Sequence, residues 1–512
     1  MRSVLFSATL LLCAALGRPA SAQGEPAPKA SWFVHATLRV VDESLPEQWS
    51  FGELGAASSE PGVPGATRLQ VRYFNTTVPR LRLAAGVEHG FASGFVRKLA
   101  VRSEAEASTA FFKSTLAADP APAAFVRQAW LEVTTLAGQF SAGRTTSTWG
   151  LGLIAQAGDD DPMQFGVRSG GSVVDRVQYA ILPAALWQKG DPLQAFPLGL
   201  ALAADRVVYD DVAANGRAPG ETVDTARNFI AALLYRGKSL QLGAYAVSRR
   251  QRDEVGLGLD ARSYDLYGAW QTPGWGWQWR LAGEAVLVDG TTTWLRTPAN
   301  PKEIKLLQGG GVLRVEAERG RVRVRLEGGL ASGDDRPFDD TARNFRFATD
   351  YRVGMLLFPQ LLAAQSFATK ELLALGKYSG EPPTGVERLE THGAVTQALY
   401  LHPVVRVQAH ARLAVLLGAV LARAPVDVAE PFRTGLAGGE PTGIRGAVAK
   451  RGLGLEWNAA IESKHPIGKH FAIVGRVDGA WLQPGDAFAD PDGAAMPSQL
   501  GAIGQLRLHG SW

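Results

Sequence analysis

The stretch Arg321-Val322-Arg323-Val324-Arg325-Leu326-Glu327 alternates charged and apolar residues without a fault. A period of two places successive side chains on opposite faces of an extended strand, so this segment must separate a wet face from an oily one. The pattern recurs along the chain. Arg80-Leu81-Arg82-Leu83 repeats it, and so does the series Val405, Val407, Ala409, Ala411, Leu413 and Val415, interleaved with Arg406, Gln408, His410 and Arg412. Phe471, Ile473, Val477 and Trp481 alternate with Arg476 and Asp478, and Leu453, Leu455, Trp457, Ala459 and Ile461 with Glu456, Asn458 and Glu462. Many of these runs reach ten residues, whereas strands of soluble proteins centre on about five or six. A strand crossing a bilayer at a tilt needs about 9–11.

Short and long connections also alternate. Tight turns are read at Val78-Pro79, Leu136-Ala137-Gly138, Arg236-Gly237-Lys238, Thr272-Pro273-Gly274, Arg319-Gly320, His402-Pro403 and Pro466-Ile467-Gly468. Between them lie longer polar segments at 42–66, 90–124, 145–170, 210–225, 289–303, 333–387 and 423–446. Strands are expected at 31–41, 68–77, 80–89, 125–135, 137–148, 172–182, 197–209, 226–236, 239–250, 260–271, 275–288, 304–319, 321–332, 388–402, 404–422, 447–463, 468–483 and 498–511. Eighteen is even, which returns both ends of the sheet to one side. In lipid a backbone polar group without a partner costs several kcal/mol, so such a sheet must close on itself. The expected fold is therefore all-β: a transmembrane, antiparallel, up-and-down barrel over residues 31–512, with short periplasmic turns and long extracellular loops.

Composition and termini agree. Charged residues are 20% of the 512, Lys+Arg number 53 against 49 Asp+Glu, and no dense basic run is present, so a nucleic-acid partner is not expected. Arg2, the apolar run Val4 to Leu16 and Ala20-Ser21-Ala22 form an export signal over 1–22, followed by a short periplasmic segment at 23–30. The single Cys13 leaves with that signal; Leu12 is too bulky for a lipid-attachment site. Trp270, Trp275, Trp277 and Trp279 crowd one turn, as indoles do at headgroup level. The last strand alternates up to Trp512, and this resembles the signal read by the outer-membrane barrel-assembly machinery.

Two local patterns carry a family resemblance. Val126-Arg127-Gln128-Ala129-Trp130-Leu131-Glu132-Val133, with Gly138-Gln139-Phe140 and Gly143-Arg144, resembles the strand-turn-strand of Gram-negative porins. Gly333-Asp334-Asp335, then Asp350-Tyr351-Arg352 and Leu357-Phe358-Pro359, resembles alginate-export-type proteins, whose barrels have eighteen strands. The resemblance implies a pore-forming or export protein of the outer membrane, reached after Sec-type export, and names no substrate.

The inward faces can be read from the alternation. Arg68, Arg72, Arg80 and Arg82 are expected on one hairpin, with Arg321, Arg323 and Arg325 on one strand, Arg314 on its neighbour, and Arg406 and Arg412 beyond the longest loop. Glu88, Glu132, Glu284, Glu327, Glu390, Glu456 and Asp478 are expected to face the same way, so that each arginine either attracts a solute or pairs across strands. A basic-lined channel for small polar or anionic solutes, or for an exported polysaccharide, is the leading expectation. A barrel closed by its loops and acting as receptor or structural protein, or a barrel hydrolase, are the alternatives. Within loop 333–387, Phe358 and the segment Leu361 to Leu375 read as an amphipathic helix able to narrow the mouth, which makes Asp350, Tyr351, Arg352 and Phe358 the gating candidates.

Asp159-Asp160-Asp161 and Asp334-Asp335 are weak candidates for surface calcium, since neither has the spacing of a known calcium loop. No other cofactor is expected. Gly150-Leu151-Gly152 and Gly452-Leu453-Gly454 lack the strand-to-helix setting of a phosphate cradle, and no hydrolase or metalloprotease motif occurs. His392, His410, His470 and His509 read as scattered inward polar groups. The expected partners are outer-membrane lipid and lipopolysaccharide, the assembly machinery and the solute.

Overall fold

The computed structural model describes residues 30–512 apart from 47, 55–66, 73–76, 92–93, 109–122, 168–169, 184–196, 214–223, 295, 297–301, 338 and 375–383. The proposed export signal thus lies outside the described residues. The sheet closes. Its strands are β1 (Ser31–Ser44), β2 (Thr77–Gly90), β3 (Val96–Ser108), β4 (Ala123–Thr135), β5 (Gln139–Thr146), β6 (Val173–Ile181), β7 (Leu198–Tyr209), β8 (Thr225–Arg236), β9 (Leu240–Arg252), β10 (Gly258–Gly274), β11 (Trp277–Thr292), β12 (Ile304–Arg319), β13 (Val322–Ala331), β14 (Ala398–His410), β15 (Leu413–Arg423), β16 (Gly452–Ile467), β17 (Phe471–Pro484) and β18 (Gln499–Ser511). Each pairs antiparallel with the next, and β1 pairs with both β2 and β18, from Ser31↔Glu88 on one side and His35↔Ser511 on the other. No helix among the described residues is long and apolar enough to cross a membrane; the crossing is made by strands.

The alternation sorts the two faces. Leu202, Phe229, Leu266, Leu313, Leu417, Ile461, Val477 and Leu500 are exposed on the outside. Arg325, Glu327, Glu456 and Asp478 are buried inside. In water that exterior would be an untenable apolar surface; in acyl chains it is the ordinary one. Trp270, Trp275 and Trp277 surround the β10–β11 turn at the end that carries the short connections, and Trp275 is 90% exposed. Trp275 (φ 52°) and Gly276 (φ 77°) both take left-handed backbone there, as a two-residue hairpin turn requires.

The strand count agrees with the sequence reading, but two errors cancel within it. Thr67–Arg72 pairs with Gln48–Leu54 in a separate two-stranded hairpin inside the β1–β2 loop, so Arg68 and Arg72 are not on a barrel strand. Conversely β3 lies in what reads as loop 90–124. Its outward face is partly Ser103, Ala105 and Ala107, which are too small and polar to announce a strand. Val78-Pro79 and His402-Pro403 are not turns either. Pro79 pairs with Val40 within β2, and Pro403 with Leu326 within β14. The β14–β15 turn falls instead at Ala411-Arg412, which leaves Arg412 exposed in the turn, and Arg321 is likewise in the β12–β13 turn. Glu390 and His392 belong to the long loop, which runs on to residue 397.

A charge set into the outward belt should act as an interior charge does in a soluble core. Leu417→Arg or Leu266→Arg is expected to destabilise the barrel by about 2–4 kcal/mol if it sits near the bilayer midplane. Urea titration of folding into phosphatidylcholine vesicles measures this, and Ala411→Arg in the exposed β14–β15 turn should have no effect.

Candidate functional site: the charged interior and its two inward loops

Two long loops turn into the barrel instead of away from it. The first, 147–172, joins β5 to β6. At its start the Trp149 ring stacks on Tyr245 at 4.8 Å, and its indole N–H donates to Asp265 at 2.9 Å. The next three backbone N–H groups, of Leu151, Gly152 and Leu153, all donate to the carboxylate of Glu284 on β11, the last two at 3.0 Å. Gly150 makes this possible. Its φ is 55°, and a Cβ there would collide with that carboxylate. Successive N–H groups converging on one anion form a nest. The Gly150-Leu151-Gly152 sequence is thus a cradle after all, for the protein's own glutamate.

The second loop, 332–397, uses the same device five strands further round the barrel. Met355, Leu356 and Leu357 donate their N–H groups to Glu456 on β16, Met355 at 2.6 Å and Leu357 at 2.7 Å. Gly354 precedes them with φ 69°. Asp350 ties the loops together by accepting from Gly170 N–H at 3.0 Å and from Gly171 N–H. Leu357–Leu362 forms one π-helical turn that runs into helix α1 (Ala363–Ala374). The expected amphipathic character is absent. Ala363, Ala364, Ala368, Thr369, Leu372 and Leu373 are all buried, so α1 is enclosed on most sides. Phe358 and Leu361 lie with Trp49, Phe51, Phe347 and Leu153 in an apolar core held inside the barrel. Tyr351 is part of it too, its hydroxyl accepting from Arg314 at 2.9 Å. Arg352 takes part through its carbonyl, which accepts from Gln164 at 3.2 Å.

Between its anchors the first loop crosses to the wall formed by β1, β2, β13, β14, β17 and β18. Asp160 accepts from Arg39 and, at 2.6 Å, from Arg507; Asp161 accepts from Arg325 at 2.7 Å. Arg406 donates to the Pro162 carbonyl at 3.2 Å and Arg476 to that of Gln164. Met163 and Phe165 pack on Val404 of β14 and on Leu416 and Ala460 of β15 and β16, which complete that wall. Enclosure raises the pKa of Asp160, but the guanidiniums of Arg39 and Arg507 outweigh it and bring the carboxyl to about 2. Its side chain nevertheless keeps 48% of its surface open to the lumen.

The arginines are answered by acids. Arg80 lies 3.2 Å from Glu106 and Arg82 2.8 Å from it, with Glu104 3.3 Å from Arg82 and 2.8 Å from Arg127. Arg314 pairs with Glu327 at 2.7 Å, Arg325 with Glu316 at 2.7 Å, Arg323 with Glu318, Arg406 with Glu462 at 2.8 Å and Arg476 with Asp478 at 2.7 Å. The wall is charged on both signs and is not a purely basic strip. The aspartate runs are taken up by protein groups. Asp160 and Asp161 diverge to different arginines, Asp334 accepts the N–H groups of Arg336 and Arg343, Asp335 lies 3.7 Å from Arg336, and among the described residues no cluster of three metal-ligating side chains exists. Asp159 stands beside this pair without making the run into a site. His410 and His470 lie at turns, and His509 stacks on His35.

No protein-family profile matches the sequence, and no curated protein is similar to it. Solved structures are. OccK9 (OpdG) of Pseudomonas aeruginosa aligns over 94% of this chain and 98% of its own with a TM-score of 0.52 at 10% identity. The outer membrane protein opdK of the same organism aligns over 94% and 99% at 0.51 and 10%, and OccAB1 of Acinetobacter baumannii over 94% and 96% at 0.51 and 9%. The fold is that of an outer-membrane porin. These likenesses support the barrel alone, so the finer resemblance to alginate-export proteins has no support beyond it.

Removing either loop anchor should loosen its loop while leaving the barrel closed. Glu284→Ala or Glu456→Ala orphans three N–H groups, each worth about 1–3 kcal/mol when buried without a partner. Limited proteolysis is expected to cut within 147–172 or 345–374 at least about tenfold faster, with heat-modifiable gel mobility unchanged. For Asp160 the folded pKa is depressed, so its tether is complete above about pH 4 and is lost as pH falls through about 2. Protease resistance of 147–172 should therefore be flat from pH 4 to 8 and drop below pH 3.

Proposed function

We propose that this chain is a channel of the outer membrane that passes small polar solutes, anions among them, along the mixed-charge wall beside residues 159–161. The observation that carries the reading is a closed barrel whose interior holds ionised side chains still open to water, Asp160 foremost. Charges of both signs left partly exposed on opposing surfaces fit a path that guides hydrated solutes without trapping them. The likeness to outer-membrane barrels at 8–10% identity supports the fold on which this reading rests. A polysaccharide would have to thread past a loop pinned on both walls, so small solutes are the better reading.

A second reading has one specific observation behind it. The apolar core built from Trp49, Phe347, Leu357, Phe358 and Leu361 occupies the interior beside the long loop, as a sealed surface receptor would require.

Planar-bilayer recording separates the two. Discrete conductance steps with a reversal potential near zero or slightly toward the anion in a KCl gradient are expected. Asp160→Asn should shift it further toward the anion. Removing a unit charge about 8 Å from the permeating ion in a water-like medium is worth about 0.5 kcal/mol, a factor of about two in permeability ratio. Strong cation preference would overturn the anion-tolerant reading, and the absence of any conductance from folded protein would favour the receptor.

A further inference from the structure

Among the described residues, the barrel exterior carries a row of charges that its own acids do not balance. Reading across the register, Arg144↔Asp175, Asp175↔Arg206, Arg206↔Arg227, Arg227↔Arg250 and Arg250↔Asp260 are successive cross-strand partners on β5 to β10. All lie on the outward face, in the same alternation as the exposed Leu202, Phe229 and Leu266, and at the ends of their strands that lead into the long loops. The flanking acids are engaged. Asp175 takes Arg144 in a two-pronged pair at 2.8 and 3.1 Å, and Asp260 takes Arg252 and stands 3.9 Å from Arg250. That leaves Arg206, Arg227 and Arg250 side by side over about 10 Å, two interstrand spacings. Arg206 and Arg227 make no ion pair among the described residues, and the Arg250 side chain is 80% exposed. Like charges directly opposite one another destabilise a sheet, so this triad makes physical sense when an anion sits on it.

Directly beneath lies an apolar groove of about 610 Å³ on the same outward face. Its floor is Ala231, Ala244 and Ala246, and Leu202, Tyr264 and Leu266 stand around it. Ala231 is four residues below Arg227 on β8, about 13 Å along the strand. A cationic row at the interface above an alkyl-width groove in the belt is complementary to an amphiphile with a phosphate on its head and an acyl chain below.

We infer that Arg206, Arg227 and Arg250 bind the phosphate of an outer-leaflet phosphoglycolipid of the lipid A type, one of whose acyl chains fills the alanine-floored groove. This rests on the outer-membrane placement proposed above, since only there does the long-loop end meet such a lipid. Arginine forks match phosphate oxygens two at a time, and the pairing strengthens where water is scarce.

Native mass spectrometry of the folded, full-length mature protein in detergent, titrated with bis-phosphorylated lipid A, tests the site. One retained lipid per barrel is expected for the wild type. R206Q/R227Q/R250Q and, on the unaltered protein, dephosphorylated lipid A should each bind at least about tenfold more weakly, the loss of about one charge-assisted contact or more. Ala244→Phe, which fills the groove and leaves the arginines in place, should weaken binding as well, while Lys305→Gln at another part of the outward rim should not. Equal retention of lipid A by the triple variant, or of its dephosphorylated form by the wild type, would overturn the site. Bilayer conductance of the same preparations is scored separately, so that a silent but lipid-binding protein sinks the channel reading and not this one.

Discussion

Everything in this protein depends on β1 being hydrogen-bonded along both edges. With β18 on one side and β2 on the other, the sheet has no free edge, and every strand can present apolar side chains to acyl chains without exposing its backbone. Closure also fixes what the interior must be. Once the outside is Leu, Val and Phe, alternation forces the polar half of each strand inward, and about half of the wall becomes a surface that needs either water or partners. The arginines and carboxylates of the interior are the chain's answer to that need.

The interior is filled in two ways. On the wall of β1, β2, β13, β14, β17 and β18 charges pair with charges and with the Asp160-Asp161 segment. Around α1 and the π-helical turn the filling is apolar, and it behaves as the core of a small soluble domain enclosed by the barrel. The two regions meet at Asp350, which reaches from the apolar loop to the backbone of the charged one. The rigid geometry of any passage is therefore set by loop-to-wall contacts as much as by the strand number.

The barrel, its approximate strand ends and the inward direction of Arg80, Arg82, Arg314 and Arg325 were legible because lipid outside and water inside impose a strict period of two. What was not legible begins with one strand. β3 faces outward partly with Ala and Ser, so it carries little hydropathy contrast. Glu104 and Glu106 sit on that strand. Missing the strand removed from view the acids that pair with Arg80, Arg82 and Arg127, and so made the wall look basic. Prolines misled for a related reason. Pro79 and Pro403 sit within strands, where local rules favour turns. The loop anchors could not be read at all, because backbone N–H groups leave no signature in a sequence except the glycines at 150 and 354 that aim them.

That choice of anchor has an engineering consequence. Glu284 and Glu456 grip main-chain amides, and every residue other than proline supplies one. The side chains at 151, 153, 355 and 357 are thereby decoupled from the mounting that holds them. They pack in the apolar core inside the barrel, where Leu153, Met355 and Leu357 are buried, so that core can be repacked at constant volume while the loops stay in register, much as interchangeable jaws are fitted to one vice.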